Sequence, residues 1–137
     1  MSDFLAEAEV QGGPDAGARA RRLVDRELAQ RLPPQALADV SLLVTELVAN
    51  GVWHGGAHEG MTLRVRVSGD EAAVRIEVEN PAGASGDPAQ RPPDLGGGGG
   101  LGLHIVERVA SRWGVRRSPR VAVWFELDRN RGRSALL

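Results

Sequence analysis

The stretch Glu46-Leu-Val-Ala-Asn50-Gly-Val-Trp-His54-Gly55 decides how the rest of the chain is read. Glu46, Asn50 and His54 stand four residues apart, so on a helix they form one row along a single face. Upstream, Leu37, Val40, Leu43, Val44, Leu47 and Val48 give residues 35–54 the pattern of a long, mostly buried helix. A carboxylate, an amide and an imidazole inside such a helix need partners, because each costs roughly several kcal/mol if left unsatisfied. One polar residue of this kind caps a loop or pairs within the core. Three in one row point instead to a ligand. A carboxamide oxygen suits a hard cation, and Mg²⁺ takes few protein ligands beside waters and phosphates. A carboxylate one turn away can position or deprotonate a hydroxyl or a water.

The surrounding sequence supplies a frame for this helix. Residues 4–10 read as a short first strand. Residues 16–32 read as an amphipathic helix with Leu23, Val24, Leu28 and Leu32 on the apolar side and arginines opposite. Pro33-Pro34 stops it, and Pro34 can open the next helix in its first turn. Gly55-Gly56 ends that second helix. Residues 61–69 and 72–79 alternate apolar and charged residues about Gly69-Asp70, which predicts a hairpin with one buried face. Residues 81–100 are rich in proline and glycine without apolar period, as in a lid or a linker. Helical spacing returns over 101–112, followed by strands at 113–117 and 121–127 and a frayed polar tail from 129. The order (β)ααββ–lid–αββ predicts a single α+β domain, a two-layer sandwich of a mostly antiparallel sheet covered on one face by helices.

Composition excludes several functions. The chain has 137 residues and a net charge of −1, which gives no support for nucleic acid or an anionic membrane as partner. All 17 basic residues are arginine, so no Walker-type lysine can hold a phosphate. Without cysteine there is no disulfide, thiolate nucleophile or cysteine metal site. Neither a basic-then-apolar leader nor an apolar run of membrane length is visible, so a cytoplasmic location is expected.

Two further segments carry chemistry. Gly96–Gly100, then Leu101 and Gly102, run directly into a helix. Glycines let backbone N–H groups approach phosphate, and a helix N-terminus adds favourable potential; a glycine run alone also makes a floppy linker. Glu79-Asn80-Pro81-Ala82-Gly83-Ala84 leaves the end of a strand, a place where a polar residue is usually structural.

Together and in this order, these segments resemble the ATPase superfamily of histidine kinases, DNA gyrase, mismatch-repair ATPases and the heat-shock chaperone, the Bergerat fold. Glu46–Gly55 is similar to its N box, and Gly100-Leu101-Gly102-Leu103 to its second glycine box. Arg112-Trp113-Gly114-Val115 and Val123-Trp124-Phe125-Glu126-Leu127 resemble the short branch of anti-sigma-factor serine/threonine kinases. The resemblance spans about residues 15–128. It implies ATP and Mg²⁺ as cofactors, Asn50 as the Mg²⁺ ligand and Glu46 as general base. It further implies that Gly98, Gly99, Gly100, Leu101, Gly102 and Leu103 hold phosphates, and that 81–99 is the ATP lid. His54 and Gly55 would shape its floor, and Asn80 and Gly83 would face the base. The implied partners are a sigma factor and an anti-sigma factor antagonist, with the protein a homodimer.

The sequence departs from that pattern at the adenine end. The family's first glycine box reads Asp-x-Gly-x-Gly, and its aspartate takes the adenine amino group. The matching residues here are Asn80-Pro81-Ala82-Gly83-Ala84. The threonine that supports the aspartate corresponds to Ala122. A hydrogen bond to a charged acceptor contributes about 1.5–3 kcal/mol against about 1 for a neutral one, so weaker or less base-selective nucleotide binding is expected. Three functions follow: a kinase that sequesters a sigma factor and phosphorylates its antagonist, a partner-binding relative with weak or no turnover, and the detached catalytic domain of a sensor histidine kinase. Leu101 favours the last, because the anti-sigma branch often carries arginine there; none of the three histidines lies in a phospho-acceptor context.

Overall fold

The computed structural model describes residues 4–54, 60–81 and 99–129, with the backbone alone for 50–54 and 99–103. The elements run β1 (Phe4–Gln11), α1 (Ala16–Leu28), α2 (Pro34–His54), β2 (Thr62–Gly69), β3 (Ala73–Glu79), α3 (Gly99–Val109), β4 (Arg112–Arg116) and β5 (Ala122–Asp128). This is the expected α+β order. The five strands form one sheet in the order β1-β2-β3-β5-β4, and every pairing is antiparallel. β2–β3 and β4–β5 are hairpins; β1 pairs with β2 across the two helices α1 and α2, and α3 carries the chain from β3 to the far edge before β5 returns between β3 and β4.

Alternation along the strands sorts the side chains into two faces. Leu63, Val65 and Val67 of β2, Val74, Ile76 and Val78 of β3, and Val123, Phe125 and Leu127 of β5 form the inner face, all buried. Over them lie Val40, Leu43, Val44, Leu47 and Val48 of α2, at most 2% exposed, and Val24 and Leu28 of α1. The central helix α2 packs against both α1 and α3. Ser41 Oγ donates to Asp25 of α1 at 2.8 Å, and Thr45 Oγ1 donates to the Ser41 carbonyl at 2.8 Å. Gly17 of α1 faces Thr45 closely enough that an added Cβ would lie 3.4 Å from its methyl.

The helix boundaries differ from the sequence reading for physical reasons. The helix expected over 16–32 ends at Leu28. A residue before proline is pushed out of the helical region, so Leu32 cannot continue a helix into Pro33. The chain instead tightens, with the Arg31 and Leu32 N–H groups both donating to the Leu28 carbonyl, and Leu32 stays buried. The helix expected over 101–112 spans Gly99–Val109. It begins inside the glycine run rather than after it. It ends early because the Ser111 N–H donates to the Glu126 carbonyl at 2.9 Å and draws the chain into β4. In the β2–β3 turn, Asp70 Oδ1 accepts from the N–H groups of Ala72 and Ala73, which holds its carboxyl below the usual range, the Ala73 bond first.

The outer face of the sheet carries no helix among the described residues. It is a lattice of ion pairs instead. Glu7 meets Arg64 and Arg66, Arg66 meets Glu77, and Arg116 bridges Glu77 and Glu79. On the far strands Glu126 takes Arg75 and Arg112, and Arg112 continues to Asp128. The Arg75 guanidinium also lies 4.2 Å over the Trp124 ring. Arg112 holds Glu126 below the usual carboxylate range, helped by Arg75.

Leu43 and Leu42 are neighbours in sequence with opposite surroundings, 0% and 44% exposed. Leu43→Ala is expected to cost about 2–5 kcal/mol in chemical denaturation, and Leu42→Ala less than about 0.5. Equal losses would contradict the packing of α2 on the sheet.

Candidate functional site

Five buried aliphatics at helical spacing turn one side of α2 to the sheet, while Ser41 and Thr45 touch α1. At 100° per residue, Glu46 falls off the face that Ser41 and Thr45 turn to α1, and α3 also packs on α2. The Glu46 side chain is half-buried. Among the described residues it has no hydrogen-bond or ion-pair partner. Among the described residues, that leaves a carboxylate held on a packed helix with its acceptor positions open.

Asn50 and His54 lie one and two turns further along the same helix backbone, in the last two turns of α2. The expected row is therefore continuous in the backbone. Their side chains, with Gly55, Gly83 and Gly98, lie outside the described residues. Gly99, Gly100, Leu101, Gly102 and Leu103 form the first turn and a half of α3, where unpaired helical N–H groups point outward. A helix start made of glycines lets an anion reach those groups without meeting a Cβ. Because α3 packs on α2, its glycine-rich beginning and the Glu46 flank belong to one helix pair.

Asn80 stands just past the end of β3. Its N–H donates to the Val121 carbonyl at 2.8 Å, extending the β3–β5 ladder by one bond beyond Glu79. By the strand period it turns to the inner, helix-covered face with Val78. The residue is only 7% exposed, and among the described residues nothing bonds to its side-chain amide. A buried amide without a protein partner is costly, which suits a position that a ligand completes.

Here the structure corrects one assignment. Ala122, matched by sequence to the residue supporting the base-reading position, pairs with Glu79 and stands on the outer face. The residue opposite Asn80 is Val121. Strand parity alone could have revealed it, since Val121 shares parity with the buried Val123. Neither side chain can hydrogen-bond Asn80, so the missing support is real at the corrected position too.

A family model described as a histidine kinase-like ATPase domain matches residues 11–125. The chain belongs to that family, and its α+β fold is consistent with that ATPase domain. No curated protein matches the chain. No helix among the described residues is long and apolar enough to cross a membrane, and no cluster of acidic residues and histidines there makes a metal site by itself. An Mg²⁺ held by one amide, with phosphates and waters completing it, needs no such cluster.

Asn80→Asp restores a charged acceptor at the buried ladder end. ATP affinity by calorimetry is expected to rise about tenfold, from the difference between charged and neutral hydrogen bonds. ITP, which lacks the exocyclic amino group, is expected to gain nothing. An equal gain for both nucleotides, or none for ATP, would remove Asn80 from the base-reading position.

Proposed function

We propose that the protein is a regulatory serine/threonine kinase of the anti-sigma-factor type, which binds Mg-ATP, sequesters a sigma factor and phosphorylates that factor's antagonist. The observation that carries the reading is Glu46, half-buried and without a partner among the described residues, one helical turn before Asn50 in an ATPase-family chain. In this reading Asn50 ligates Mg²⁺, which supplies charge neutralisation between the phosphates. The α3 start, from Gly99 through Leu103, receives the phosphates on its backbone N–H groups together with Gly98. His54 and Gly55 form the floor, and residues 81–99 close over the nucleotide, with Gly83 beside the base. Glu46 accepts the proton from a serine or threonine hydroxyl of the antagonist as the γ-phosphoryl group passes to that oxygen and ADP leaves. Catalysis is then mainly positioning and electrostatics. The protein acts as a homodimer in the cytoplasm, and neither nucleic acid nor membrane takes part.

A second reading is favoured by Asn80 and its apolar neighbour Val121. A weakened adenine pocket suits a regulator that binds its partner through the same fold with little or no turnover. The retained Glu46 and Asn50 argue for the kinase.

The two readings separate on Glu46→Gln. With γ-labelled ATP, Mg²⁺ and a purified candidate antagonist, the wild type is expected to label a serine or threonine. The variant keeps its nucleotide affinity and loses labelling by about 100-fold or more. Loss of nucleotide binding in the variant would make Glu46 structural, and absence of transfer by the wild type would favour the binding-only reading.

A further inference from the structure

One edge of the sheet is open. β1 stands at the end of the strand order, and among the described residues no strand pairs with its outer side. Its eight residues are in unbroken register with β2, contain no proline, and run Phe4-Leu-Ala-Glu-Ala-Glu-Val-Gln11. Alternate residues of such a strand present both N–H and C=O to the open side.

Beside that edge lies a groove of about 470 Å³, walled by strand residues 8–11 and by α1. The helix contributes Arg19, Arg22 and Arg26 at successive turns of one face. Only one of the three is fully engaged, since Arg19 donates to Gln11 Oε1 at 2.9 Å. Arg26 lies 3.8 Å from Glu27, with its side chain 73% exposed. Arg22 has no ion-pair or hydrogen-bond partner among the described residues. Glu9 is the one carboxylate in the wall, and it leans toward Arg64 on the outer face at 3.8 Å.

We infer that this groove is a docking site for an extended acidic segment of a partner protein, added to the sheet as a sixth strand beside β1. Backbone bonds to the open edge give the affinity, and the arginine row selects glutamate or aspartate at every second position, the positions that turn toward α1. A second copy of this chain fits poorly. Its own β1 would bring Glu7 and Glu9 against the same residues. Toward the arginines it would turn Phe4, Ala6, Ala8 and Val10, none of which carries a charge. The site lies on α1 and β1 and does not depend on the nucleotide reading.

The probe is a short labelled peptide alternating glutamate and threonine, followed by fluorescence anisotropy in low salt. The wild type is expected to bind it and to discriminate against the same peptide with glutamine in place of glutamate. Arg22→Gln combined with Arg26→Gln changes exposed positions only. It should weaken binding about tenfold, as two exposed ion pairs allow, with an unchanged circular dichroism spectrum. Methylating alternate backbone nitrogens of the peptide should weaken it at least as much. The inference fails if the double variant binds as the wild type does, or if the wild type does not bind. It also fails if the methylated peptide binds equally well or short single-stranded DNA competes as strongly as the peptide, because either marks a non-specific cationic patch rather than a strand acceptor.

Discussion

Everything in this molecule depends on α2 being buried along one side only. Val40, Leu43, Val44, Leu47 and Val48 close the inner face of the sheet, while Ser41 and Thr45 engage α1. A helix fixed on those two sides has no freedom to rotate, so the flank bearing Glu46 is fixed as well. The same burial explains why the carboxylate can sit half-buried without a partner among the described residues. Its placement is paid for by the aliphatic side of the helix, at roughly 1.5–3 kcal/mol for each fully buried side chain.

The sheet serves the site from below and is stabilised differently on its two faces. The inner face is aliphatic and close-packed. The outer face is held by alternating arginines and carboxylates around Trp124, an arrangement in which individual exposed pairs contribute about 0–1 kcal/mol and the network keeps the surface solvated. The candidate site residues Glu46 and Asn80 therefore belong to the helix side of the sheet, where Asn80 follows the end of β3 and α3 packs on α2.

Much of this was legible in the sequence because it rests on period. The 3.6-residue spacing of Leu37 to Val48 and the alternation of Leu63 to Val67 and Val74 to Val78 placed the core, the hairpin and the row at Glu46. The errors arose where a local rule met a tertiary one. Leu32 has the apolar character of α1 and is buried with it, yet Pro33 ends the helix before it. Glycines at 99 and 100 read as a loop, yet they are helical. Ala122 aligned by sequence with the support of Asn80, whereas pairing gives that place to Val121. The arginine groove beside β1 had no periodic signal beyond an ordinary solvated helix face, and only the sheet order exposes it.

The central claim is that the flank of α2 from Glu46 to His54 is the metal and phosphate end of a nucleotide site. Calorimetric titration with ATP, in the presence and absence of Mg²⁺, tests it most directly when repeated on Asn50→Ala. The account predicts Mg²⁺-dependent binding by the wild type and loss of that dependence in the variant. Binding that survives the substitution unchanged in affinity and in Mg²⁺ dependence, or a wild type that gives no heat with either ATP or ADP, would contradict it.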